Sequence, residues 1–213
     1  MATPLPSTSD KKPSAADFDN IIRISVGKDG QVFQVHKGVL KFYSGYFRSA
    51  IENIENGRFK KAAKHMITLP EEKPEVFKLF YGWLYARELP RDDSTVLIEL
   101  WGFADRRIVP LLQNEAIDAI QICKYTVMKE ASARAVYDNT GAGSTLRQFT
   151  ICSYATCLHK VEKDDLDAWP EEFKDDLLKY MVEQRPKFAC QDFQKRDMCE
   201  WHVHEEGIRC KKE

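Results

Sequence analysis

At 213 residues and 24.7 kDa the chain is long enough for one good core, or for one domain of roughly 100–150 residues with an appendage. Hydrophobic residues at 43% can fill such a core, but mean hydropathy is -0.47 and the longest uncharged apolar run, Leu79 to Ala86, is far below the roughly 20 residues of a bilayer span. A formal charge of -1 provides no whole-molecule field for nucleic acid, so neither membrane nor nucleic acid is an expected partner. Met1–Asp10 lacks the basic-then-apolar order of a secretory signal, and the expectation is an intracellular protein of cytoplasm or nucleus. In that setting the six cysteines read as reduced thiols or metal ligands rather than disulfides.

Pro4, Pro6 and Pro13 among Ser, Thr and Lys make residues 1–17 a disordered arm, since this composition buries too little apolar area to offset chain entropy. Ile22, Ile24 and Val26 then alternate with Arg23 and Ser25 as a strand over Ile21–Val26. Lys28-Asp29-Gly30 is a tight turn, and Gln31–Val35 returns as the partner strand. Val39, Leu40 and Tyr43 fall at helical spacing, and Ser44 is placed to cap a second short helix with Tyr46 and Phe47. Strand and helical hairpin follow each other with no room for a catalytic loop, which points to an interaction domain. Ile51 to Lys64 is polar and basic, and Met66–Leu69 is a third short strand ended by Pro70.

Pro74 suits a first helical position, and Val76, Phe77, Phe80, Tyr81 and Leu84 form the stripe of a helix to about Ala86. Asp93 or Ser94 caps another helix, with Val96, Leu97, Leu100, Trp101 and Ala104 on one face. After Pro110 the residues Leu112, Ala116, Ala119, Ile120, Cys123 and Val127 continue as a long helix. Gly141-x-Gly143 interrupts before Ser144 caps a helix with Leu146, Phe149, Ser153 and Cys157. Trp169-Pro170 opens a further helix through Phe173, Leu177, Tyr180 and Met181 that stops before Pro186.

Several residues invite a chemical reading. His36 at a strand-to-helix junction can titrate near neutrality, but a half-buried packing role, with a ring nitrogen bonded to backbone, accounts for it better. Cys157 and His159 are two apart on a helix and point to different sides, so they make no nucleophile–base pair. Arg58, Lys60, Lys61 and Lys64 form a basic run that reads as a solvated loop. Gly141-Ala142-Gly143 has neither the strand nor the lysine of a phosphate loop. The tail is richer. Cys199-x2-His202-x-His204-x5-Cys210 places four zinc-competent donors within twelve residues, with Cys190 as an alternative. A zinc site there competes with a plain tail packed through Trp201 and Val203.

Taken together, four blocks resemble a BTB/POZ domain: Asp19-x-Ile21, Phe33-x-Val35-His36-Lys37-x-Val39-Leu40 with Ser44-x-Tyr46-Phe47, Phe77-x-x-Phe80-x-x-Trp83-Leu84-Tyr85, and Leu97 to Asp105 with Leu111 to Ile117. Phe59 before a lysine-rich turn and Trp83-Leu84-Tyr85 are similar to the single-BTB proteins of filamentous fungi, some of which share a Cys/His ending. The resemblance implies an α+β fold, a small three-stranded sheet flanked by a helical cluster at residues 18–130, with a C-terminal helical extension at 131–187 and a Cys/His-rich tail at 188–213. It implies a non-enzymatic interaction module that self-associates as a homodimer or docks a partner protein, with Phe18, Ile21, Val39, Phe42 and Tyr43 as interface candidates. The alternatives are a substrate adaptor for a cullin-type ubiquitin ligase and a zinc-stabilised scaffold. Cullin-binding members carry a hydrophobic-x-Glu element after the hairpin, where this chain has Ile54-x-Asn56.

Overall fold

The computed structural model describes residues 12–57, 66–90, 93–122, 130–156, 163–184, 199 and 201–204. They pack as two units: residues up to Leu89 with Phe103–Gln113 and the chain from His204, and Pro90–Gly102 with Asn114–Val203.

In the first unit, alternation is realised as a sheet. β1 (Ile21–Val26) buries Ile22, Ile24 and Val26 and pairs antiparallel with β2 (Gln31–His36), from Ile21 opposite His36 to Val26 opposite Gln31. β3 (Met66–Leu69) lies parallel on the other side of β1, so the order is β2-β1-β3 and the central strand is the first in sequence. Gly30, at φ 69°, closes the expected turn.

α1 (Lys37–Tyr43) buries Val39, Leu40 and Tyr43. α2 (Gly45–Glu55) is longer than the sequence pattern suggested, because Ile51, four residues after Phe47, extends the same buried face through a stretch that otherwise reads as polar. Ser44 caps it as expected, its Oγ accepting from Phe47 N at 3.1 Å and donating to the Arg107 carbonyl at 2.6 Å. α3 (Pro74–Ala86) carries Phe77, Phe80 and Trp83 inward. Phe80 is the hub: Phe77, Phe103, Phe47 and Trp83 surround it with ring centroids 5.0–6.2 Å away.

α4 (Ser94–Arg106) begins at Asp93, whose Oδ1 accepts from Thr95 N and Val96 N at 2.9 and 3.3 Å. It ends in a left-handed turn. Ile108 N donates to the Asp105 carbonyl and Val109 N to that of Ala104, and Ile108 sits at φ 51°. A β-branched residue is costly there, but the turn aims the Arg107 and Ile108 carbonyls at Tyr46 N and Gly45 N, the otherwise unsatisfied first donors of α2.

Glu72 is the buried charge among the described residues of this unit, with only 5% of its surface exposed. Its carboxylate accepts from Arg106 Nε and Nη2 at 3.1 and 2.8 Å and from Arg107 Nη2 at 2.7 Å. Burial opposes its ionisation, but the Arg106 hydrogen bonds and the charges of Arg106 and Arg107 prevail and hold its pKa below the ordinary carboxylate value.

The second unit is helical among the described residues. α5 (Pro110–Ile122) leads into it; Cys123 and Val127 of the expected long helix lie outside the described residues. α6 (Glu130–Asn139) and α8 (Lys163–Ala168) were not legible as helices, whereas α7 (Thr145–Thr156) and α9 (Glu171–Glu183) stand where periodicity put them. α7 is buried nearly all round, and Phe173 of α9 meets Tyr137, Tyr154 and Trp169 at 5.0–5.5 Å. Arg147, 6% exposed, is the buried cation among the described residues here. Its guanidinium donates to Thr140 Oγ1 and to the carbonyls of Tyr137 and Thr140, pairs with Glu172, and stacks 4.1 Å from the Tyr137 ring centroid. Burial, then the hydrogen bond and charge of Asp176, raise the Tyr137 phenol far above its usual pKa.

Candidate protein-docking surface

Of the arm expected to be disordered, residues 12–17 are described. Ala15–Phe18 forms a 3₁₀ turn, fixed by Ser14, whose N and Oγ both donate to Asp17 Oδ2 at 2.7 and 2.8 Å. The turn rests on α1 where Gly38 stands, and a Cβ at Gly38 would come within 2.6 Å of the Asp17 carbonyl oxygen. The missing side chain admits the contact.

Between this turn and the α1–α2 hairpin lies a recess of about 380 Å³, lined by Asp17, Asn20, Lys37, Lys41, Phe42 and Glu55 with Ala16 and Gly38. Lys37 Nζ and Lys41 Nζ each approach Glu55 at 3.4 Å, and Lys41 reaches Glu52 at 4.0 Å. Slight burial works against ionisation of Glu55, but the Lys37 hydrogen bond and both ammonium charges overcome it and lower its pKa. Exposed ion pairs of this kind contribute little to stability, so the recess presents charge without depending on it.

Beside it runs an aromatic strip. Phe18 meets the His36 ring edge-on at 5.4 Å, His36 meets Tyr85 at 5.8 Å, Tyr85 meets Tyr81 at 5.2 Å and Tyr81 meets Phe33 at 6.0 Å. Phe18, Ile21, Val32 and Tyr85 are exposed, at 43%, 53%, 52% and 39%. The strip follows β2, an edge strand of the sheet. His36 is half-buried as expected, but its Nδ1 bonds the Tyr85 hydroxyl at 2.9 Å rather than backbone, and its own backbone N–H donates to that oxygen at 3.2 Å. Burial raises the Tyr85 phenol pKa.

A match to the BTB/POZ domain family model spans residues 17–105, from Asp17 at the recess to Asp105 in the last turn of α4. This segment is a BTB/POZ domain. Such domains are protein–protein interaction modules, and the three-stranded mixed sheet with its helical cluster is the fold expected for one. No curated protein matches the chain.

The five interface candidates of the BTB domain separate. Phe18 and Ile21 are exposed and Phe42 lines the recess. Val39 and Tyr43, at 0% and 7%, are core residues of this chain: they sit on the α1 face that packs inward, Tyr43 against Trp83 at 5.1 Å. Tyr85 and Val32, also exposed, were not among the candidates. Tyr85 was read only as part of a helix motif, although its place just off the buried Trp83-Leu84 face was a signal for exposure.

Of the tail donors, Cys199 and His204 are half-buried, and His202 engages Asp118 through Nε2 at 2.7 Å. Cys190 and Cys210 lie outside the described residues, as do Cys157, His159 and the basic run Arg58, Lys60, Lys61 and Lys64. Among the described residues no three His, Cys, Asp or Glu side chains gather as a metal cage, and no helix is long and apolar enough to cross a membrane.

Proposed function

We propose that the BTB domain acts without catalysis as a self-associating module, pairing through the surface that joins Phe18 and Ile21 to Phe42. The observation that carries this reading is the exposure of Phe18 and Ile21 on the aromatic strip beside the charged recess. Apolar anchors next to a polar rim are the composition of a protein interface, and two copies meeting there would cover both. Sedimentation velocity at tens of micromolar tests it. Wild-type chain is expected to run as a dimer and Phe18→Glu/Ile21→Glu as a folded monomer; a monomeric wild type overturns the proposal. The adaptor alternative is weakened by Asn56, the exposed residue that stands after α2 where the resemblance calls for Glu. Capture of a cullin by the wild-type chain would reinstate it.

A further inference from the structure

We propose that α5 carries a docking site for a Trp-His-Val peptide segment, and that the chain's own Trp201-His202-Val203 occupies it as a latch. Asn114, 5% exposed, applies its carboxamide to a backbone: Oδ1 accepts from Val203 N at 2.6 Å and Nδ2 donates to Val203 O at 3.0 Å. A neighbouring β-strand offers a chain the same donor–acceptor pair, so this position reads backbone and rejects proline, which lacks the N–H.

Specificity comes from the two preceding residues. One turn after Asn114 on α5, Asp118 Oδ1 takes the hydrogen bond of His202 Nε2 at 2.7 Å; a carboxylate only accepts, so the ring must bring the proton on that nitrogen. Trp201, 5% exposed, sets its indole edge-on against Phe149 at 5.6 Å and contributes the buried area. A segment without helix or strand is thus held by side chains 84 and 89 residues earlier in the chain.

The test uses the full chain and a fluorescein-labelled peptide with the sequence of residues 199–206. The Trp201→Ala/His202→Ala chain, whose own tail can no longer dock, is expected to bind the peptide about tenfold or more tighter than wild type, because the tethered tail competes at high effective concentration. Adding Asn114→Ala should abolish that binding. Equal binding to wild type and vacated chain, or indifference to Asn114→Ala, overturns the proposal. Hydrogen exchange on the wild-type, Asn114→Ala and Asp118→Ala chains provides a second reading that needs no vacated variant. The Val203 amide should exchange slowly in wild type and about tenfold or more faster in either variant. An unchanged rate, or protection that EDTA removes from the wild type, overturns the latch, the latter result assigning the tail to a metal.

Discussion

Among the described residues each unit buries one ionised side chain, Glu72 or Arg147, and the two solve the same problem with opposite chemistry. In the BTB domain the anion Glu72 is neutralised by two guanidinium groups, one of them, Arg106, with 46% of its side chain exposed. In the helical unit the cation Arg147 is met by two carbonyls, a hydroxyl and an aromatic face, with Glu172 reaching it from an exposed position. A buried charge costs several kcal/mol unless every direction is answered. The comparison teaches that charge pairing leaves a unit open to titration, whereas neutral oxygens around an arginine do not, since the guanidinium stays charged at every ordinary pH.

The largest expected effect breaks the second arrangement. Arg147→Ala leaves the carbonyls of Tyr137 and Thr140 without this donor and empties a buried volume, so a loss of about 3–5 kcal/mol is expected in urea denaturation followed by circular dichroism. The loss should vary little between about pH 5 and 8. Glu72→Gln breaks the first arrangement, and about 2–3 kcal/mol is expected, because Arg106 can turn to water. Its pH dependence sharpens the contrast. The folded-state pKa of Glu72 is lowered, so its stabilisation is fully present above the unfolded value of about 4.3 and is lost as pH falls through the folded value. Wild type and Glu72→Gln should therefore converge in acid, and a gap that stays constant to about pH 3 would refute the assignment.

Two smaller tests concern the turn that supports the BTB hairpin. Ser44→Ala removes the α2 cap and the bond to the Arg107 carbonyl and should cost about 1–2 kcal/mol. Ile108→Asn places a residue tolerant of the left-handed region at φ 51° and should stabilise by roughly 0.5–1 kcal/mol, seen as a raised melting temperature. A loss at Ile108→Asn would mean that the half-exposed isoleucine packs more strongly than its backbone is strained.

What could be read in advance follows the range of each signal. Ile22, Ile24 and Val26, the Ser44 cap and the Phe77–Phe80–Leu84 stripe act within a turn or a pleat, and they carried the sheet, the hairpin and α3. α6 was missed because its buried face, Ala133, Val136 and Tyr137, begins with alanine, which gives little contrast, and α8 because Leu166 is its one large apolar residue. The candidate surface was half legible. Composition marked residues 1–17 as a disordered arm; within it the turn at Ala15–Phe18 comes down on α1 at Gly38, a contact no local pattern reports.

The sequence by itself determined the BTB fold and its order of elements, because alternation, helical spacing and capping are local and strong. Tertiary structure decided which face of each element became surface. Only packing turned Val39 and Tyr43 inward and left Phe42 at the recess, and only long-range contacts joined Glu72 to Arg106 and Arg107 and Asn114 to Val203. Residues 34 to 89 positions apart have no shared periodicity through which the chain could announce their pairing; the rest of the fold must first bring them within a hydrogen bond's length.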